Sequence, residues 1–345
     1  MTAQLIDVGD GYHLWSERYD RELVDVFAIQ DDIAESIVRA LAVVLSEEER
    51  SALDRPLPTS DVRAYEYYLR GRHHFHLLRP GDLERARGMF EQAIALDPGY
   101  GLAYAGIADC CSFLYMYFDS AQANLETAES ASRRALELAP GVAEAHASRG
   151  LAVSLSRRHD EARREFAAAI RLDPQLFDAH YFYARLCIQE GKLEEAAGHF
   201  EDAARVRPED YQSVLLLPAV LRGLGRHQEA AAAARRGLER ADKHLALSPD
   251  DARALYLSAS GLAALGEAER ARERLRRARE AAPHDAAVLY NVACVYVLLG
   301  DLDASLQALE QAVDRGFAHK AWLEHDADLD VLRDRPRFKE LLARL

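Results

Sequence analysis

An all-α fold, a right-handed α-solenoid of helix-turn-helix repeats with a short N-terminal β-hairpin and helix, is what this 345-residue sequence predicts. Three observations carry the prediction. Between Ala143 and Pro208 one pattern is written twice at a spacing of 34: Gly150, Ala162, Phe166, Ala169 and Pro174, then Ala184, Ala196, Phe200, Ala203 and Pro208. The repeated letters are small where two helices must touch, and a period between 20 and 50 residues marks stacked units that cannot bury an apolar face alone. Composition is the third: 49% apolar residues suffice for a continuous core, and the 11 prolines gather near the repeat junctions.

Length does not count domains in such a chain, because each unit touches only its neighbours. The net charge of -14 argues against nucleic acid as a partner, since phosphate binding needs a basic footprint. The densest arginine run, Arg270 to Arg279, interleaves Arg272, Arg274, Arg276 and Arg277 with Glu269, Glu273 and Glu280, which reads as a solvated outer face. Cys110, Cys111, Cys187 and Cys294 show no C-x-x-C spacing and read as small core residues of a reducing compartment. No apolar run approaches the roughly 18 residues of a membrane span, and no signal-peptide pattern follows Met1. A soluble, cytoplasmic chain without membrane partners is expected.

Taken in order, residues 3–19 alternate like two strands around Gly9-Asp10-Gly11, whose glycines tolerate a tight turn. A helix is expected from Val24 to Leu45, with Phe27, Ile33, Ile37, Val38 and Leu41 on one face. An isolated hairpin is marginal in water, so this piece must pack on the repeats, pair with another chain, or end a domain lying upstream. The stretch LIDVGDGYHLWSERYDRELVDVFAIQDDIAESIV resembles the end of the TolB-like α/β domain that precedes repeat arrays in many bacterial proteins. That resemblance implies an upstream signaling part such as an adenylate cyclase, winged-helix or kinase domain. Residues 1–57 are therefore assigned to this remnant and a Pro-rich linker, residues 58–318 to about seven repeats, and residues 319–345 to a C-terminal cap.

With its 34-residue period and A-x3-F…P ending, the array resembles the tetratricopeptide repeat. Units one and two carry longer turns, near Arg79-Pro80-Gly81 and between Tyr115 and Asn124, and unit five runs on to Pro249. The family's early tryptophan is missing; Tyr104, His146, His180, Val214, Leu255 and Leu289 stand there instead. Pro218 falls inside a first helix, which costs a hydrogen bond or about 3 kcal/mol, and predicts a bend in the superhelix.

Chemistry is harder to find. His73, His74 and His76 invite a metal, but His74 leaves the face that the other two share, so structural or surface roles are expected. The acidic run at 325–330 lacks the glycine and distal glutamate of a calcium loop and reads as solvated charge. No nucleotide loop, nucleophile elbow or zinc-protease motif occurs. No enzyme activity, cofactor or metal is expected.

Function then falls to the concave surface, which the resemblance assigns to the first helix of each unit. Inner positions carry Asp178, Tyr181, Arg185 and Gln189, then Arg222, then Arg253, Tyr256 and Ser260, then Tyr290. Tyrosine and arginine are the types enriched in binding hot spots. The expectation is a non-enzymatic interaction scaffold that binds a peptide or protein segment, its carboxylates held by Arg185, Arg222 and Arg253. The opposing reading packs Tyr181, Tyr256 and Tyr290 between helices. Two alternatives stand beside it: a C-terminal regulatory or sensory module of a larger bacterial signaling protein, and self-association through the N-terminal hairpin's free edge.

Overall fold

The computed structural model of the chain describes residues 2–6, 13–18, 59–119, 121–317 and 320–345. Strands β1 (Thr2–Ile6) and β2 (His13–Arg18) pair antiparallel, with Thr2 opposite Arg18 and a register shift after Leu5. The turn at Gly9-Asp10-Gly11, the helix expected from Val24 to Leu45 and the linker lie outside the described residues. Every other described element is helical.

From Val62 to Asp314 the helices come in antiparallel pairs. The first two pairs are α1 (Val62–His76) with α2 (Pro80–Leu96) and α3 (Gly101–Tyr117) with α4 (Gln122–Leu138). The doubled pattern forms α5 (Ala143–Leu155) with α6 (His159–Leu172) and α7 (Phe177–Gln189) with α8 (Leu193–Val206). Then come α9 (Gln212–Gly223) with α10 (His227–Leu247), α11 (Ala252–Ala264) with α12 (Ala268–Ala281), and α13 (Ala286–Leu298) with α14 (Leu302–Asp314).

Local chemistry sets these boundaries. Asp61, Asp251 and Asp285 cap their helices by accepting from backbone amides of the first turn, and Pro80 begins α2, where its missing N–H costs nothing. The first helices of the last four pairs end on Gly191, Gly225, Gly266 and Gly300, all at positive φ. That left-handed turn is strained for any side chain, yet the matching residue after α5 is Arg157, at φ 59°.

Stacking follows from the repeated letters. Phe90, Phe166 and Phe200 are fully buried, each burial stabilising by about 2–3 kcal/mol. A Cβ on Gly71 or Gly106 would stand 2.6 Å from the Phe90 ring, and one on Gly150 would stand 2.8 Å from Phe166. Those glycines let neighbouring helices close on the ring. Pro218 is buried inside α9, which remains continuous through it, so the proline costs a backbone bond without ending the helix. The run to Pro249 appears as α10, 21 residues long against 14 for α8.

Beyond α14, α15 (Lys320–His325), a 3-10 turn (Ala327–Leu332) and α16 (Pro336–Ala343) bring Leu323, Leu329, Leu332, Phe338 and Leu341 onto the last repeat. These side chains cover a core-type face that α13 and α14 would otherwise expose. The arginine run on α12 is laced into carboxylates, Arg272 to Glu269 and Asp301, and Arg276 to Glu273 and Glu280. The four cysteines are buried and unbridged.

Candidate binding groove

First helices pack on first helices along the array, α3 on α5, α9 on α11 and α11 on α13. Their inner side chains converge far beyond the adjacent unit. Arg185 on α7 donates to the Tyr117 hydroxyl on α3, and its guanidinium lies 5.6 Å from the Tyr117 ring centroid. Arg253 on α11 lies 4.9 Å from the centroid of the same Tyr117 ring, so units two, four and six meet at one point. Contacts that skip intervening units require a tightly curved inner face, and here they bridge it.

Arg253 is held on three sides. Its Nε donates to Gln212 Oε1 at 2.6 Å, Nη1 to the Tyr256 hydroxyl at 2.9 Å and Nη2 to the Tyr181 hydroxyl at 2.9 Å. The rings of Tyr181 and Tyr256 are buried in the core, and only their hydroxyls serve the guanidinium. The packing reading thus holds for the rings, while the hydroxyl ends are polar handles for Arg253. Among the described residues, no carboxylate lies within ion-pair distance of Arg185 or Arg253. Among the described residues, these two cations therefore share a partly buried site with phenols and the Gln212 amide.

The electrostatics record this. Burial alone would raise the Tyr117 phenol, and the guanidinium groups of Arg185 and Arg253 outweigh it, leaving its pKa below the ordinary value. Burial pushes the Tyr256 phenol up to about 12, so it stays a neutral hydrogen-bonding group. Excess positive charge at such a point favours an anion, and a carboxylate or phosphate matches the planar donors of arginine.

Beside this cluster, through the edge-to-face contacts of Phe113 with Tyr117 and Phe182, opens a small cleft lined by Arg72, Asp109, Glu144, Ser148 and Asp178. Burial pushes the Asp109 carboxyl up to about 7, against the Ser148 hydrogen bond and the Arg72 charge. The inner face is thus acidic toward unit two and cationic at its middle.

The remaining expected positions scatter. Asp178 belongs to the acidic cleft, Gln189 is exposed and Ser260 half-buried. Arg222 is half-buried, with one terminal nitrogen that lacks a hydrogen-bond partner. Tyr290 stacks on Phe317 at 4.6 Å and donates to Asp326, so the cap covers it. Asp326 is accordingly more than the solvated charge expected of the acidic run: it also accepts from the Asp328 amide. His74 meets Asp82 at 3.2 Å, while His73 and His76 are exposed. Gln212 stands at an inner offset of unit five, whereas Tyr117 and Asp109 are inner-face residues that the repeat pattern did not single out. Tyr117 lies where α3 is stretched, so no fixed offset pointed to it.

Residues 154–217 and 256–319 each match a tetratricopeptide repeat family. Over 166 residues, 47% of this chain, it is 34% identical to a protein of Rhizobium meliloti named as an adenylate cyclase. Over 160 residues it is 27% identical to the human superkiller complex protein 3. The aligned parts span 28% and 10% of those relatives. Among solved structures, PilW, a type IV pilus biogenesis factor, is similar at 18% identity and a TM-score of 0.48, over 66% of this chain and 97% of that one. A tetratricopeptide repeat protein from Parabacteroides merdae is similar at 15% identity and a TM-score of 0.48, over 82% and 98%. The chain thus carries tetratricopeptide repeats over 154–217 and 256–319, in the helices α6 to α9 and α11 to α14.

Proposed function

We propose that the chain is an interaction scaffold whose inner groove binds a protein segment and anchors a carboxylate at Arg185 and Arg253. The observation that carries this reading is the pairing of two guanidinium groups with Tyr117, Tyr181 and Tyr256 and, among the described residues, with no acid. Cations so placed have unspent donors and are partly desolvated, which makes an incoming carboxylate worth more than at an open surface. Because the cluster bridges the groove, an extended segment stops there, and a chain end fits better than a through-running strand. Upstream residues of that segment would lie by Asp109, Glu144 and Asp178, where basic side chains are preferred.

Peptides selected from a library displaying free C-termini test the reading by calorimetry. Arg185→Ala and Tyr256→Ala should each weaken a selected peptide by about 1–2 kcal/mol with helicity retained, and amidating its C-terminus should cost a similar amount. Unchanged affinity in both variants removes the groove assignment.

A second reading rests on the Rhizobium meliloti relative, of which the aligned part covers only 28%. In it the array is the regulatory C-terminal module of a larger signaling protein, and residues 1–57 end a TolB-like domain. The groove would then take a segment of that same protein. An assay of the genomic reading frame around this coding sequence decides it: a frame continuing upstream into an α/β or cyclase domain supports this reading, and a stop codon close to Met1 opposes it.

A further inference from the structure

Units three and four place a histidine at the same point, and only one of them is satisfied. In unit three His146 Nε2 meets the Pro140 carbonyl at 3.0 Å and Nδ1 meets Glu165 Oε2 at 2.7 Å. Both ring nitrogens face acceptors, which is the setting of an imidazolium. In unit four His180 Nε2 meets the Pro174 carbonyl at 3.1 Å, the same bond one repeat on. The position of Glu165, however, is taken by His199.

The consequence is a bare lone pair. A carbonyl only accepts, so Nε2 of His180 carries the proton and Nδ1 of the neutral ring does not. His180 is 5% exposed, and its Nδ1 is buried without a hydrogen-bond partner, as is Nδ1 of His199. The Asp202 carboxylate, another acceptor, stands 3.7 Å from His180 Nδ1. Ligand atoms of His180, His199 and Asp202 all lie within 4.8 Å of one another. Three groups that can each offer an electron pair thus converge.

We propose that His180, His199 and Asp202 form a three-ligand site for a divalent transition metal, with Zn2+ the fitting ion. Two imidazoles and a carboxylate are a first-row transition-metal set, and three protein ligands plus one water complete a tetrahedron. Ligands ~2.1 Å from such an ion stand roughly 3.4 Å apart, close to the 3.7 Å between His180 and Asp202. The Pro174 carbonyl supplies the outer hydrogen bond that fixes the ligating tautomer of a metal-bound histidine. His199 and Asp202 share one face of α8 at i, i+3, and the Tyr183 ring stacked 4.3 Å from His199 holds that imidazole in place. The competing cation on Asp202 is Arg205, whose side chain is 71% exposed, and such pairs are weak. The metal would tie α7, which carries Tyr181 and Arg185, to α8.

Zinc chloride titrated into the chelator-treated full chain, with cobalt(II) absorption as a second readout, tests the site. The wild type should bind one equivalent, give tetrahedral cobalt bands and gain thermal stability. His199→Ala puts in place the residue found at the matching position of α4 and α14, Ala131 and Ala308, and so should fold. It should weaken the stoichiometric site at least tenfold and lose the bands. Asp202→Asn should do the same, whereas His146→Asn should retain both. Absence of a stoichiometric site in the wild type, or a site unchanged by His199→Ala and Asp202→Asn, overturns the proposal.

Discussion

The hairpins α5–α6 and α7–α8 obey one pattern, and their differences fall at few positions. Gly150, Ala162, Phe166 and Ala169 have close counterparts in Ala184, Ala196, Phe200 and Ala203, and all of these side chains sit in the core. On the inner face, Ala147 and Leu151 become Tyr181 and Arg185, which reach across the groove to Arg253 and Tyr117. On the side where the two helices of a pair meet, Glu165 becomes His199, and an ion pair gives way to a cluster of two histidines and an aspartate. Shared letters hold neighbouring helices together, and changed letters alter which side chains the inner face and the helix seam present.

The largest effect should come from the shared letters. Phe166→Ala and Phe200→Ala each remove a fully buried ring and should cost about 3–5 kcal/mol in urea unfolding. Similar losses would mean the two pairs stack by one mechanism, and a difference above about 2 kcal/mol would break the equivalence. Changed letters should behave otherwise. Tyr181→Ala with Arg185→Leu rewrites the inner face of unit four as unit three, removing the contacts to Arg253 and Tyr117 while keeping the Phe200 stack. Helicity by circular dichroism should be retained.

Helix ends sharpen the comparison by about 1 kcal/mol. Arg157 holds a left-handed turn that Gly191 occupies one repeat later. Arg157→Gly should stabilise by about 1 kcal/mol and Gly191→Arg should destabilise by a similar amount, both read from denaturation midpoints.

The smallest effect concerns pH. The hydrogen bond to Glu165 raises the His146 pKa above its ordinary value, against burial and the charge of Arg171. A histidine whose folded pKa is raised contributes stability that is fully present below the unfolded value, near 6.5, and is lost as pH rises through the folded value. Glu165→Gln should flatten this decline in a stability profile taken through neutral pH. A slope unchanged by Glu165→Gln would mean that the pair carries no coupling.

Much of the fold was legible because stacking is local. A 34-residue period, alanines at contact points and prolines past helix ends each act within one or two units, so a linear pattern records them. Groove positions were legible as offsets, which placed Tyr181, Arg185, Arg253 and Tyr256 on one face. Their meeting point was not, because Tyr117 and Arg253 lie four units apart and their contact depends on the accumulated curvature of everything between. Tyr290 was expected in the groove for the same offset reason, yet the cap that covers it follows the array and obeys no repeat. The His180 cluster did leave a signal: His146 and His180 share an offset, and the residue 19 positions on changes from Glu165 to His199. Only the structure shows that those residues face each other.

The central claim, that the carboxylate-free Arg185 and Arg253 cluster is where a partner's anion docks, is tested most directly by calorimetry. A peptide selected on the wild type would be titrated into Arg253→Ala, with its free-acid and amidated forms compared. The account predicts a tenfold or greater loss on amidation in the wild type, about 1.4 kcal/mol, and no further loss on amidation once Arg253 is gone. Equal affinity of both forms for the wild type, or an undiminished preference for the free acid in Arg253→Ala, would contradict it.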